Sequence, residues 1–305
     1  MSLRARILNG WLRWTEKTFL ARASDPAALR RSLEFKARLF FHAPVGMAQV
    51  WRDLAGAPAL RIAPNAGAGP CHILYLHGGG HVFGSPRTHA AMLATLAKRV
   101  GATAVLPRYP LSPEAVFPQS LDHSVAAYLA LLDEGVAPGD VVIGGDSAGG
   151  NLALAVLADV LERGLPKPAG VFCLSPLTDL TASGDSFVTN ADADVVLPAS
   201  RMSEMKEMYL RGHPADDPRA SPLFAAYAGA PPVWLAVGDT EILLDDTRRL
   251  AERLTAHGVA VDLSVERDLP HVWPLFHNLI PEAKATLDQL AAWIAAQTAA
   301  NVPTR

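Results

Sequence analysis

The chain has 305 residues, 50% of them apolar and 19% charged, which suits a large buried core in one α/β domain or two smaller ones. Its net charge of −3, with acids and bases interspersed, gives no electrostatic case for nucleic acid or an anionic membrane as partner. The two cysteines, Cys71 and Cys173, each lie in an apolar run, which argues against a disulfide framework and for a reducing, cytoplasmic setting.

Residues 5–41 place Ile7, Leu8, Trp11 and Leu12, then Leu29, Leu33, Phe35 and Leu39, at helical spacing. Two amphipathic helices are expected, broken near Ser24-Asp25-Pro26, where a capping side chain precedes a proline in the first turn. Arg13, Glu16 and Lys17 interrupt the apolar positions too early for a signal peptide, and no run of about 18 apolar residues predicts a membrane span. Nothing in the chain resembles an exposed interfacial anchor.

Strands are expected at 57–62, 71–76, 102–106, 141–143, 170–174, 233–237 and 260–265. Helices are expected at 87–100, 120–132, 152–162, 245–257 and 281–298. That alternation predicts a doubly wound, mostly parallel sheet. The interval 175–231 breaks the rhythm, and insertions of this length are usually functional. It carries a helix expected at 198–210 with Met202, Met205 and Met208 at three-residue spacing. These methionines read either as packing against the body of the protein or as the pliable wall of an apolar pocket. Glu204 and Glu207 on the same helix are expected to face solvent.

Gly145-Asp146-Ser147-Ala148-Gly149 joins an apolar strand to a helix, the context in which G-x-S-x-G forms a nucleophile elbow. Small neighbours allow the sharp turn, and the helix start offers free N–H groups to a developing oxyanion. The plain alternative is a glycine-rich turn with an idle serine. A P-loop is excluded because Asn151-Leu152 stands where Lys-Ser/Thr is required. His77-Gly78-Gly79-Gly80 follows another strand, and its bare backbone N–H groups, with that of Ala148, suit an oxyanion hole.

A base must follow the serine in chain order, leaving His213, His257, His271 and His277. His257 ends a helix, where it is expected to cap carbonyls, and His213 lies in the insertion. His271 follows a strand at the sheet's carboxyl edge and is the expected base, with His277 as the alternative. For the acid, Asp239 and Glu241 both follow the strand at 233–237. In an extended loop they would point to the same side, so spacing leaves both open. Asp245 and Asp246 read as helix-start residues stabilised by the helix dipole.

Together with Arg108-Tyr-Pro-Leu-Ser-Pro-Glu114, Ser221-Pro-Leu-Phe-Ala225 and Pro270-His-Val-Trp273, these stretches resemble the hormone-sensitive-lipase-like family of α/β-hydrolases, from about residue 57 onward. The resemblance implies an α/β-hydrolase fold, one domain over 1–305, and a helical cap contributed by about 1–45 and about 183–225. It implies Ser147 as nucleophile, His271 as base, and Gly79, Gly80 and Ala148 as oxyanion donors. The family's acid opens a stretch some 30 residues before the histidine, which points to Glu241 where an aspartate is usual, with Asp239 as competitor. The implied reaction is hydrolysis of short- to medium-chain carboxylic esters through an acyl-enzyme, with no cofactor and no metal. A lactone hydrolase or an acyl-peptide hydrolase would use the same triad, and a small-molecule receptor is the non-enzyme alternative. The partner is a small-molecule ester, and a homodimer is left open.

Overall fold

The computed structural model describes residues 1–299; residues 300–305 of the expected domain lie outside the described residues. The strands β1 (Met47–Leu54), β2 (Ala57–Pro64), β3 (His72–Leu76), β4 (Thr103–Pro107), β5 (Val141–Asp146), β6 (Gly170–Leu174), β7 (Val233–Gly238) and β8 (Val261–Glu266) form one sheet, ordered β1-β2-β4-β3-β5-β6-β7-β8. From β4 to β8 every pairing is parallel, whereas β1 and β2 are antiparallel to their neighbours. β4 to β7 are buried along their whole length, which requires cover on both faces. One face packs on α1 (Leu3–Leu12), α4 (Pro86–Val100) and α10 (Pro281–Ala299). The other packs on α5 (Gln119–Asp133), α6 (Ala148–Glu162) and α9 (Leu244–Ala256).

β1 has no counterpart among the expected strands. It is an edge strand with only Leu54 buried, so no alternation of apolar and polar residues marks it. Its existence rests on pairing with β2 through the two-residue turn Ala55-Gly56, both residues having positive φ, 56° and 77°.

The N-terminal break falls where the sequence places it. Asp25 caps α3 (Pro26–Phe40) by accepting from the N–H groups of Ala27 and Ala28, and Pro26 occupies the first turn. Before it, α1 continues through a π-helical turn, Arg13–Lys17, into α2 (Thr18–Arg22). Arg13 donates to the carbonyls of Asp192 and Ala193, and Lys17 to those of Ala191 and Asp194. Cations so placed fasten the N-terminal helices to the long interval, which itself holds α7 (Ser186–Thr189) and α8 (Met202–Leu210).

Four local readings gain detail from the contacts. Asp245 and Asp246 do open α9, but their carboxylates bind loops: Asp245 accepts from Ser186 N–H, and Asp246 from those of Thr178 and Asp179. His257 does not cap its own helix with its ring; Nδ1 accepts from the Tyr227 N–H. Glu207 is exposed, but Glu204 is half-buried against Arg201 at 3.0 Å. Finally, α1 and the turn after it leave Leu3, Ile7 and Trp14 (81% exposed) on one side, an apolar strip whose exposure sequence alone does not reveal.

Candidate active site

β5 ends in the elbow. A side chain at Gly145 would put its Cβ 2.2 Å from the Gly149 carbonyl oxygen, and one at Gly149 would lie 2.0 Å from that of Leu76. Only glycine lets α6 start so close to β5 and β3. The turn forces Ser147 to φ 51°, ψ −121°, a strained position for a residue with a side chain. Ser147 is also the one residue of 141–150 that is not buried. Ala148 begins α6, so its N–H has no partner within the helix.

The glycine loop lies beside it. Gly79 and Gly80 have φ of 119° and 58°, and the Gly79 carbonyl accepts from the N–H groups of Val82 and Phe83. A Cβ at Gly79 would stand 2.1 Å from the Phe83 carbonyl oxygen. The loop is anchored by a residue that motif reading passed over. Asp146 Oδ1 accepts from the Gly78 N–H at 2.9 Å and the Tyr75 hydroxyl at 2.7 Å, and His89 Nε2 lies 3.3 Å away. Burial alone would raise the Asp146 pKa, but the charge and hydrogen bond of His89 hold it below 3.8. Burial would lower His89, and Asp146 holds it above 6.5 instead.

On the other side of Ser147, Glu241 and His271 meet. Glu241 Oε2 is 2.6 Å from His271 Nδ1, while Oε1 accepts from the Ser175 hydroxyl at 2.7 Å and the Gly238 N–H at 2.6 Å. Glu241 is 1% exposed, and a buried carboxylate needs this many partners. Ser175 also accepts from the Val272 N–H at 3.2 Å, joining the loop of the acid to that of the histidine. Burial pulls the His271 pKa down, but the Glu241 charge and hydrogen bond, helped by Asp194 and Asp146, raise it above 6.5.

Asp239 is not at this junction. The chain turns after β7, with the Glu241 N–H bonded to the Gly238 carbonyl, so the two acids do not share a side. Asp239 Oδ1 accepts from the Asp268 N–H at 2.8 Å. His277 is also elsewhere, with its ring near the carbonyls of Leu275 and His42. His213 pairs with Asp217 at 2.6 Å.

Ser147, His271 and all three glycines of the loop line one largely apolar pocket. Its other walls come from Trp11, Leu12 and Phe40 of the N-terminal helices and from Met202, Met205 and Met208 of α8. The long interval also supports the acid. Asn190 donates to the carbonyls of Asp239 and Glu241, and Asp194 accepts from the Ile242 N–H. No motif marks Ser175, Asn190 or Asp194; their nearness to β6 and β7 is the only signal.

A strained serine at a helix start, a hydrogen-bonded histidine–glutamate pair and a loop of free N–H groups around one pocket are what acyl transfer requires. A family model described as alpha/beta hydrolase fold matches residues 73–275. The chain belongs to the hormone-sensitive-lipase-like α/β-hydrolases. Among relatives of this α/β-hydrolase, an acetyl-hydrolase of Streptomyces hygroscopicus is 35% identical over 74% of this chain and 76% of its own. An esterase of Acinetobacter venetianus is 35% identical over 87% of this chain and 88% of its own. Crystal structures of the esterase EstE5 soaked with ethyl alcohol, and of an esterase from the bacterial hormone-sensitive lipase family, are each 36% identical. They superpose with TM-scores of 0.93 and 0.92, covering 98% of this chain and 100% and 99% of theirs.

Among the described residues, no helix is long and apolar enough to cross a membrane.

Proposed function

We propose that this α/β-hydrolase is a serine carboxylesterase acting on short- to medium-chain esters. Ser147 attacks the ester carbonyl as His271 takes its proton, and Glu241 orients the imidazole and stabilises its charged form. The backbone N–H groups of Gly79, Gly80 and Ala148 hold the oxyanion. Water then hydrolyses the acyl-enzyme through the same base. The observation that carries this reading is the 2.6 Å Glu241–His271 contact opening onto the pocket that Ser147 lines. Ser147 Oγ makes no hydrogen bond to the histidine here, and such contacts tighten as substrate enters.

The domain reading supported by the contacts is one hydrolase domain. Its cap comes from about 1–45 and about 183–225, fastened by Arg13 and Lys17. A cap walled by Trp11, Phe40 and Met205 favours acyl chains of limited length. Two free, buried cysteines support a cytoplasmic setting. A homodimer is proposed through the β8 edge, where Leu263 and Val265 are 42% and 37% exposed, and sedimentation velocity tests it.

A fluorophosphonate probe should label wild type at Ser147, and a panel of p-nitrophenyl esters should show kcat/KM greatest at about two to eight carbons. Labelling elsewhere, or kcat/KM rising steadily to palmitate, would overturn the site or the chain-length reading respectively.

A further inference from the structure

Charge is distributed unevenly along this chain. Residues 1–45 hold nine Lys and Arg against three Asp and Glu, a net charge of +6, which leaves 18 against 27 in the rest, a net charge of −9. The three acids of the segment are engaged within the fold: Glu16 with Lys36, Asp25 on the N–H groups of Ala27 and Ala28, and Glu34 with the Ser85 hydroxyl. Arg4, Arg6, Arg22 and Arg38 are exposed and have no hydrogen-bond or carboxylate partner among the described residues. The small net charge of the whole chain therefore conceals a cationic N-terminal segment.

The apolar residues of α1 are divided between two faces. Ala5, Leu8 and Leu12 are buried against the body, and Leu12, with Trp11, walls the pocket. Leu3, Ile7 and Trp14 lie on the opposite face, 69%, 66% and 81% exposed. Helical spacing sets Arg4 and Arg6 on the two flanks of that strip. α3 repeats the composition on its outward side, where Phe35 and Leu39 are 68% and 54% exposed and Arg31 and Arg38 are exposed with them. Large apolar side chains grouped in this way mark a surface that meets something other than water.

We propose that the N-terminal segment is a docking surface for an anionic phospholipid bilayer. A helix with an apolar strip between cations lies in the plane of the bilayer surface, the strip among the acyl chains and the cations at the headgroups. Tryptophan suits that boundary, and arginine buries its stem while its guanidinium reaches phosphate. Charge is what favours lipid over a second copy of the chain. No Asp or Glu precedes Glu16, so two strips brought together would set arginines against arginines with no carboxylate between them. An anionic bilayer answers the cations and the apolar side chains at once. The strip and the pocket wall belong to one helix, so docking brings the wall made by Trp11 and Leu12 close to the lipid. Docking needs no chemistry from Ser147, and it stands apart from the esterase reading.

The test mixes the full chain with vesicles of phosphatidylcholine alone or of phosphatidylcholine and phosphatidylglycerol in equal amounts, and separates bound from free protein by flotation. Wild type should bind the anionic vesicles roughly tenfold more tightly than the neutral ones, an advantage that high salt removes. Trp14→Ser should weaken binding to the anionic vesicles by roughly tenfold. Arg4→Gln combined with Arg6→Gln should cut the preference for anionic lipid by roughly fivefold or more. All three side chains are exposed, and circular dichroism confirms that the variants fold. No flotation of wild type, or equal flotation with both vesicle types, overturns the proposal without any variant. Flotation that Trp14→Ser leaves unchanged also overturns it. Without flotation, a dimer in sedimentation velocity that Trp14→Ser disrupts assigns the strip to a second copy, and binding to polyglutamate assigns it to an acidic protein; either result overturns the proposal. Flotation by a protein that hydrolyses no ester would leave docking standing and overturn the esterase reading instead.

Discussion

Two buried histidine–carboxylate pairs flank Ser147, and they differ in what surrounds them. His271 and Glu241 meet at 2.6 Å in a loop junction, with the imidazole on the pocket wall. His89 and Asp146 stand 3.3 Å apart beneath the glycine loop, and Asp146 spends the same oxygen on Gly78 and Tyr75. Both histidines are raised above 6.5 by their carboxylates. A histidine and a carboxylate thus suit proton transfer in one place and holding a loop in the other. The difference comes from what each pair holds: Glu241 orients the ring of His271 at the pocket, whereas Asp146 also ties down the Gly78 N–H and the Tyr75 hydroxyl.

The sharpest test of this contrast is Glu241→Gln. It keeps the shape and removes the charge, and a comparable acid-to-amide change in a serine protease costs about 10⁴ in kcat. It should also move the pH profile. The base works as neutral imidazole, so wild-type kcat/KM should fall as pH drops through a value above 6.5. Without the glutamate charge, burial dominates and that limb should shift to lower pH. An unchanged limb would remove Glu241 from its assigned role.

Asp146→Asn should have a smaller effect, about 10²-fold in kcat, because it removes the charge that pairs with His89, and the oxyanion loop held on Asp146 shifts with it. The acid limb of its profile should stay nearer to wild type than that of Glu241→Gln. If both variants lose the same activity and shift the limb equally, the contrast between the pairs collapses.

His89→Leu probes stability instead. Leaving Asp146 buried without its cation should cost about 3–5 kcal/mol, seen as a Tm lowered by roughly 10 °C. His89 is raised, so its contribution is complete below 6.5 and lost as pH rises through its folded value. Asp146 is lowered, so its contribution is complete above 3.8 and lost as pH falls through its folded value. The Tm difference from wild type should therefore be greatest between 3.8 and 6.5. A difference that grows toward alkaline pH would contradict the pairing.

Asp239→Asn should matter least, under about threefold in kcat, as expected of a substitution outside the machinery. Its carboxylate accepts one backbone N–H, which an amide oxygen can also do. A loss near that of Glu241→Gln would make Asp239 the working acid.

Sequence alone determined what depends on near neighbours along the chain. The alternation of buried runs and helical spacing predicted the α/β sheet with its helices. Gly145 and Gly149 announced a close strand-to-helix turn because a Cβ at either would strike backbone. Asp25-Pro26 announced the start of α3 because a capping carboxylate and a fixed φ act within one turn. Tertiary structure decided what depends on distant elements meeting. β1 exists through its pairing with β2, not through its own pattern. Asp239 and Glu241 are two residues apart, and only the turn after β7 sends Glu241 alone to His271. Ser175 holding that acid and Asp146 paired with His89 left no mark in the sequence. A side chain's partners are set by burial and direction in the folded chain, and those are properties of the whole fold rather than of any one stretch.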